Sequence, residues 1–204
     1  MERFVRGGIA AAILGGLLLA TGASLMLAPA GDQQFSDMAA TGIFTVAAAL
    51  RFTGVMLMTW GVISLYLAQA DRAGRLGLIA VVACLASMAL QAGEMFTDLF
   101  VAPSFAHAAP QVLNDPSGPL MVGLIAAWLA RASFILLGIA SLRARVLPKT
   151  SGFALIAAGA ITLVPLPGGD QAVYEVIIGI AFAVAAARAL TASTRAPLPA
   201  QSAT

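Results

Sequence analysis

The sequence predicts an all-α integral membrane protein, a bundle of six transmembrane helices with both termini in the cytoplasm. Of its 204 residues, 60% are hydrophobic and only 10% are charged, whereas soluble domains carry about 25% charged residues. The apolar residues form long segments that match the ~20 residues needed to cross a bilayer core. The basic residues lie in alternate connections between these segments, which is the pattern of the positive-inside rule.

One transmembrane domain is expected over residues 1–190, followed by a disordered cytoplasmic tail rich in Ala, Pro, Ser and Thr. The tail covers residues 191–204. The predicted spans are residues 4–27, 38–69, 76–101, 120–142, 151–164 and 171–190.

The first span imitates a secretory signal peptide, because two arginines precede it and Ala28-Pro29-Ala30 follows it. Its apolar stretch of about 20 residues is longer than a signal peptide requires, which favours a retained helix over a cleaved one. Small residues along it predict close packing against other helices. They are Gly8, Ala12, Gly15, Gly16 and Gly22.

Spans two and three are predicted to form a hairpin, since only residues 70–75 separate them. Ser36 or Asp37 is a plausible N-cap before span two. The connection after span three is the longest in the chain, and its prolines argue against a long helix there. Those prolines are Pro103, Pro110, Pro116 and Pro119.

The last three spans carry their own start and packing signals. Ser117 and Pro119 indicate the beginning of span four, which contains Trp128. Asp170 is placed to cap span six. Within span six a small-xxx-small edge could dock a partner membrane protein or a second copy in a homo-oligomer. This edge consists of Gly179, Ala183 and Ala187.

The orientation follows from the position of the basic residues. Nine of the eleven lysines and arginines lie at span ends or between spans, all on the side where the positive-inside rule predicts cytoplasm. They are Arg3, Arg6, Arg72, Arg75, Arg143, Arg145, Lys149, Arg188 and Arg195. The remaining two, Arg51 and Arg131, lie alone inside apolar segments.

A constellation of polar residues within the spans is the candidate site. Gln91, Glu94 and Asp98 are spaced i, i+3 and i+7, so they share one face of span three. Arg51, Arg131 and Glu175 come from other spans. From the helical rise, the charged members fall in the outer half of the bilayer or near its midplane. Buried arginine requires a carboxylate or carbonyl partner, so these charges are expected to meet.

Two interpretations of this constellation stay open. In the first, the residues line a pocket open to the outer side, in a transporter, channel or binding protein for a small solute or ion. In the second, the ion pairs only fix helix register, and the protein is a non-catalytic accessory subunit that docks a partner through its Gly/Ala helix faces. A third hypothesis is a lipid-modifying enzyme that uses the acids at the outer leaflet.

Several other classes of site are excluded by composition. One cysteine (Cys84) and one histidine (His107) cannot build the usual multi-His or multi-Cys zinc site. No catalytic residue, cofactor or metal is predicted, because His107 lacks a visible orienting acid and no phosphate-binding loop is present. No basic run in the sequence suits nucleic acid. The expected partner is the lipid bilayer, because the apolar segments are long enough to cross it.

Two stretches of the sequence resemble a loose group of small bacterial multi-span membrane proteins. One contains Phe100-Val101-Ala102-Pro103 and Ala108-Ala109-Pro110, and the other runs from Gly138 to Pro148. The second includes the Leu-Arg-x-x-x-Leu-Pro turn that these proteins carry between late helices. The resemblance implies a multi-pass protein of the bacterial cytoplasmic (inner) membrane and brings no assigned activity or site residues.

Overall fold

A computed structural model of the chain describes residues 2–27, 34–115, 117–118, 121–123, 125–126, 131–164 and 171–195, with side chains to residue 192. All regular elements in these ranges are helical, which confirms the all-α class. The α-helices are α1 (Glu2–Leu27), α2 (Phe35–Ala39), α3 (Gly42–Leu67), α4 (Ala70–Phe96), α5 (Ala102–Ala108), α6 (Pro110–Asn114), α7 (Ser133–Ala144), α8 (Lys149–Ala160) and α9 (Gln171–Arg195). A π-helical turn covers Thr97–Val101, and a 3₁₀ turn covers Ile161–Leu163.

Within the described residues, four helical segments are long and apolar enough to cross a membrane. They are Glu2–Leu27, Gly42–Leu67, Ala70–Ala108 and Gln171–Ala192. Two further apolar helices, Ser133–Ala144 and Lys149–Leu163, are shorter. The chain is therefore a helical membrane protein by length and composition of its segments.

The six larger helices form a closed ring. Going round it, α1 packs on α3, α3 on α4, α4 on α7, α7 on α8, α8 on α9, and α9 returns to α1. A buried apolar core fills much of the interior, with Met58, Met88, Phe134 and Phe182 among its largest apolar side chains. The rings of Phe134 and Phe182 lie 5.7 Å apart between centroids, so α7 and α9 meet across the core.

Helix α1 approaches both of its neighbours through glycine, as the small-residue face predicted. A methyl group added at Gly15 would lie 2.6 Å from the carbonyl oxygen of Gly54, and one at Gly54 would lie 2.7 Å from the carbonyl oxygen of Gly15. On the other side, a methyl group at Gly179 would lie 2.5 Å from the carbonyl oxygen of Gly16. The backbones touch directly, so no side chain fits between them.

The small-residue edge proposed for a partner is used within the chain. Gly179 packs against Gly16 and Ala20 of α1, and Ala183 is buried on the same helix pair. Ala187 is only half-buried. Docking of a partner at this edge stays a prediction, and it would have to compete with α1.

The start of span two differs from the expectation. A separate short helix, α2, precedes α3, and neither Ser36 nor Asp37 caps the span. Thr41 does so instead, because its hydroxyl oxygen accepts the backbone N–H of Phe44 at 3.2 Å. The long helix therefore begins at Gly42 rather than Met38.

The predicted hairpin between α3 and α4 is present, and its connection is shorter than the six residues, 70–75, that the sequence indicated. Helix α4 begins at Ala70, immediately after a turn at Ala68 and Gln69. At Gly74 the backbone leaves the helical region, with φ at +56° and ψ at −158°. Residues with a side chain rarely adopt this conformation. The regular part of the long helix therefore starts one residue before the predicted Leu76.

The prolines after span three argued against a long helix there, and residues 102–114 form two short helices, α5 and α6, with Ala109 outside both. Pro103 lies in the first turn of α5 and Pro110 in the first turn of α6, where a missing N–H costs nothing. The π-helical turn before Pro103 accommodates the ring, and the N–H of Ala102 donates to the carbonyl of Thr97, five residues back. The helix thus continues past Val101.

The short helices cover one end of the ring. Helices α2 and α5 pack on Phe44 and Ala48 of α3 in a second buried apolar cluster. Asn114 at the end of α6 fastens them, since its Oδ1 accepts the N–H of Ser36 at 2.9 Å and its amide donates to Gln34 at 2.8 Å.

The end of the chain also differs from the prediction. Helix α9 continues to Arg195, so residues 191–195 are helical rather than part of a disordered tail. Residues 196–204, the proposed start of span four at Pro119, Trp128, and the Asp170 cap lie outside the described residues.

Candidate functional site

Arg51 is the most completely paired charge of the ring interior. It lies about 14 Å along α3 from Gly42, and its side chain is only 4% exposed. Its Nε and Nη2 donate to the two carboxylate oxygens of Glu175, at 2.6 and 2.8 Å. Its Nη1 donates to Asp98 Oδ2 at 2.8 Å and lies 3.2 Å from the sulfur of Met26. All three nitrogens therefore have partners.

Arg131 is fully buried but only partly paired. Its Nη2 lies 3.2 Å from Glu94 Oε2 and 3.2 Å from Glu175 Oε1. Its Nε and Nη1 have no hydrogen-bond partner in the part of the chain that the structure describes. A buried guanidinium with unused donors is costly, because each lost hydrogen bond to water is not replaced.

Glu175 joins the two arginines into one network. It is completely buried, and it accepts from Arg51 and from Arg131. Gln171, one turn earlier on α9, donates to Glu94 and, at 3.3 Å, to Glu175. The N-terminal end of α9 thus supplies both a carboxylate and an amide to the network.

Two members of this network were not anticipated from the sequence. Gln171 was interpreted only as the start of span six, although its i, i+4 spacing from Glu175 was a usable signal. Met26 was interpreted as part of an apolar end of span one. Nothing in the sequence distinguishes its thioether from those of the other methionines.

Gln91 lies beside the network without joining it directly. Its side-chain amide donates to Ser87 at 3.0 Å, one turn back on α4, and the residue is fully buried. Its Oε1 has no partner among the described residues, and neither does the hydroxyl of Ser133, two residues after Arg131. Gln91 precedes Glu94, a partner of Arg131, by about one helical turn and lies on the same face of α4.

The structure connects five of the six predicted residues by ion pairs and leaves Gln91 adjacent on the same helix face. Three carboxylates face two guanidiniums, so with all groups ionised the network has a formal charge of −1. Asp98 is the most accessible of the three acids, with 17% of its side chain exposed, and Glu94 follows with 8%.

The remaining candidates lie apart from the network or serve packing. His107 and Ser104 are exposed on α5. Cys84 is buried, and its thiol donates to the backbone carbonyl of Ser133 at 3.4 Å, which ties α4 to α7.

No protein-family model, curated protein or solved structure matches this chain. An assignment of function must therefore rest on the chemistry of the charge network.

Proposed function

We propose that the protein binds a small polar solute in the charge network and carries it across a membrane. The observation that supports this is Arg131, fully buried with two of its three side-chain nitrogens, Nε and Nη1, lacking a partner among the described residues. An unsatisfied buried polar group costs about 1–3 kcal/mol. A solute that accepts from these donors would recover that free energy.

The solute we propose is neutral and has both an acceptor and a donor, as a polyol or a small amide has. The acceptor would meet the free N–H groups of Arg131, and the donor would meet Oε1 of Gln91. An anion is disfavoured because the network already has a formal charge of −1, and like charges repel strongly where water is scarce.

Replacing Gln91 with methionine tests this proposal. The side chains have similar size. The change removes a buried acceptor that lacks a partner, which offsets the loss of the hydrogen bond to Ser87, so the protein should still fold. In proteoliposomes challenged with a glycerol or acetamide gradient, we expect Gln91→Met to slow solute entry about tenfold, from the loss of one hydrogen bond to the solute. Light scattering measures the rate.

The matched control is Gln111→Met, the same substitution at an exposed position of α6. It should leave solute entry unchanged. If both variants match wild type, or if wild-type vesicles admit neither probe faster than protein-free vesicles, the solute proposal fails.

The second candidate, a non-catalytic accessory subunit, is favoured by Arg51. All its nitrogens are used by Glu175, Asp98 and Met26, which is the arrangement of a charge that holds helices together. In that case Glu94→Gln would lower folded yield and leave no separate transport defect. In the solute carrier it would abolish transport while the protein still folds.

For the membrane arrangement we propose six spans, both termini in the cytoplasm, and the bacterial inner membrane. The two shorter helices, Ser133–Ala144 and Lys149–Leu163, would belong to the fourth and fifth spans. The alternating distribution of basic residues supports this topology.

Cysteine labelling of intact cells tests the topology. In a Cys84→Ala background, we expect Asp115→Cys to react with a membrane-impermeant maleimide added outside. Arg143→Cys should react only after the membrane is permeabilised. Both positions are exposed, so reactivity depends on the side of the membrane. The reverse pattern would invert the orientation, and labelling of both positions from outside would exclude a span between them that crosses the membrane.

A further inference from the structure

A polar cavity lies at the opposite end of the ring from the charge network. Its volume is about 380 Å³, and it opens where the α3–α4 turn meets the end of α7. The side-chain amide of Gln69 joins the two elements by donating to Ser141 at 2.9 Å. The cavity is lined by Ala68, Gln69, Asp71, Arg72, Arg145 and Val146.

The charged residues of this cavity are free to bind a ligand. Among the described residues, Asp71, Arg72 and Arg145 form no ion pair with one another or with other side chains. Gln69 is only 2% exposed, and its Oε1 has no partner there. Two cations, an acid and a buried acceptor thus border one space of sufficient size for a polar head group.

We propose that this cavity binds the phosphoethanolamine head group of a membrane lipid. The phosphate would lie between Arg72 and Arg145, because guanidinium groups match phosphate oxygens in geometry and charge. The ammonium group would donate to Asp71 and to Oε1 of Gln69. A purely anionic ligand would use the arginines but would leave the acceptor unfilled and meet the carboxylate of Asp71.

The position of the cavity favours a lipid over a free solute. It lies at the ends of apolar helices, where the bilayer surface meets water, and Val146 adds an exposed apolar side chain to its rim. Leu78 and Ile79, farther along α4, are also exposed and apolar. A head group held at Arg72 and Arg145 would leave its acyl chains free to lie along such surface.

Native mass spectrometry of the full chain, with phosphatidylethanolamine and phosphatidylglycerol of the same acyl chains, tests the site. We expect wild type to retain phosphatidylethanolamine preferentially. The double variant Arg72→Gln/Arg145→Gln should bind it at least tenfold more weakly, from the loss of charge-assisted hydrogen bonds. Asp71→Asn should reduce the preference over phosphatidylglycerol about threefold, because one exposed ion pair is lost.

The matched control is the double variant Arg75→Gln/Arg143→Gln, which removes two exposed arginines from the same end of the molecule that do not line the cavity. It should bind as wild type does. Equal loss in both double variants would indicate a general charge effect and overturn the site. Displacement of the lipid by inorganic phosphate alone would overturn the lipid assignment. Thermal unfolding identical to wild type shows that each variant is folded.

Discussion

Replacement of Glu175 with glutamine is expected to destabilise the protein by about 3–5 kcal/mol, the cost of breaking a buried ion pair on one side only. Glu175 is completely buried and serves two arginines at once. Without its charge, Arg51 keeps only Asp98 as an acid, and Arg131 keeps only Glu94. Unfolding in mixed micelles with increasing denaturing detergent measures the change in free energy.

Substitutions of two other acids, Asp98 and Glu2, serve as comparisons for Glu175→Gln. Asp98→Asn should cost less, because Asp98 pairs with Arg51 alone and is partly exposed. Glu2→Gln breaks an exposed i, i+4 pair with Arg6 and should change the free energy of unfolding by less than about 1 kcal/mol. If Glu175→Gln behaves like Glu2→Gln, the network does not hold the ring together.

Replacement of Gly179 with alanine is expected to cost about 1–3 kcal/mol, since overpacking forces α9 away from α1. The added methyl group would lie 2.5 Å from the carbonyl oxygen of Gly16 and 2.9 Å from the backbone nitrogen of Ala20. Backbone atoms cannot rotate aside as a side chain can. Thermal unfolding in detergent is the measurement.

Gly93→Ala is the control, because it is expected to leave the stability of the fold unchanged or to raise it. Gly93 lies in α4 with nothing within 4 Å of an added methyl group. Alanine there should be neutral or stabilise by up to about 1 kcal/mol through its higher helix propensity. If Gly179→Ala instead leaves unfolding unchanged and shifts the oligomeric state, the Gly179 edge docks a partner, as the sequence suggested.

The sequence predicted which polar residues share one face of a helix, but it did not predict which arginine each acid pairs with. Spacing alone placed Gln91, Glu94 and Asp98 on one side of a helix, because the helical period is constant. Which arginine meets which acid depends on how the helices pack round the ring. Arg51 could have paired with Glu94, but it pairs with Glu175 and Asp98.

The errors at helix ends have local physical causes. Ser36 and Thr41 are both good capping residues, and the choice depends on whether the chain turns at Ala40. The prolines after span three predicted that no long helix follows it, and they did not indicate the π-helical turn at Thr97–Val101 that leads into the short helix α5. The edge at Gly179 carried a correct packing signal, and only the identity of its neighbour, α1, lay beyond the sequence.

Closure of the ring between α1 and α9 has a consequence for biogenesis. The ribosome makes Arg51 and Arg131 well before Glu175, so both cations exist before the acid they share. Asp98 and Glu94 can neutralise them in the interval, one acid for each arginine. Packing of α9 against α1 then closes the ring, and a chain interrupted before Gln171 would be an open arc of helices.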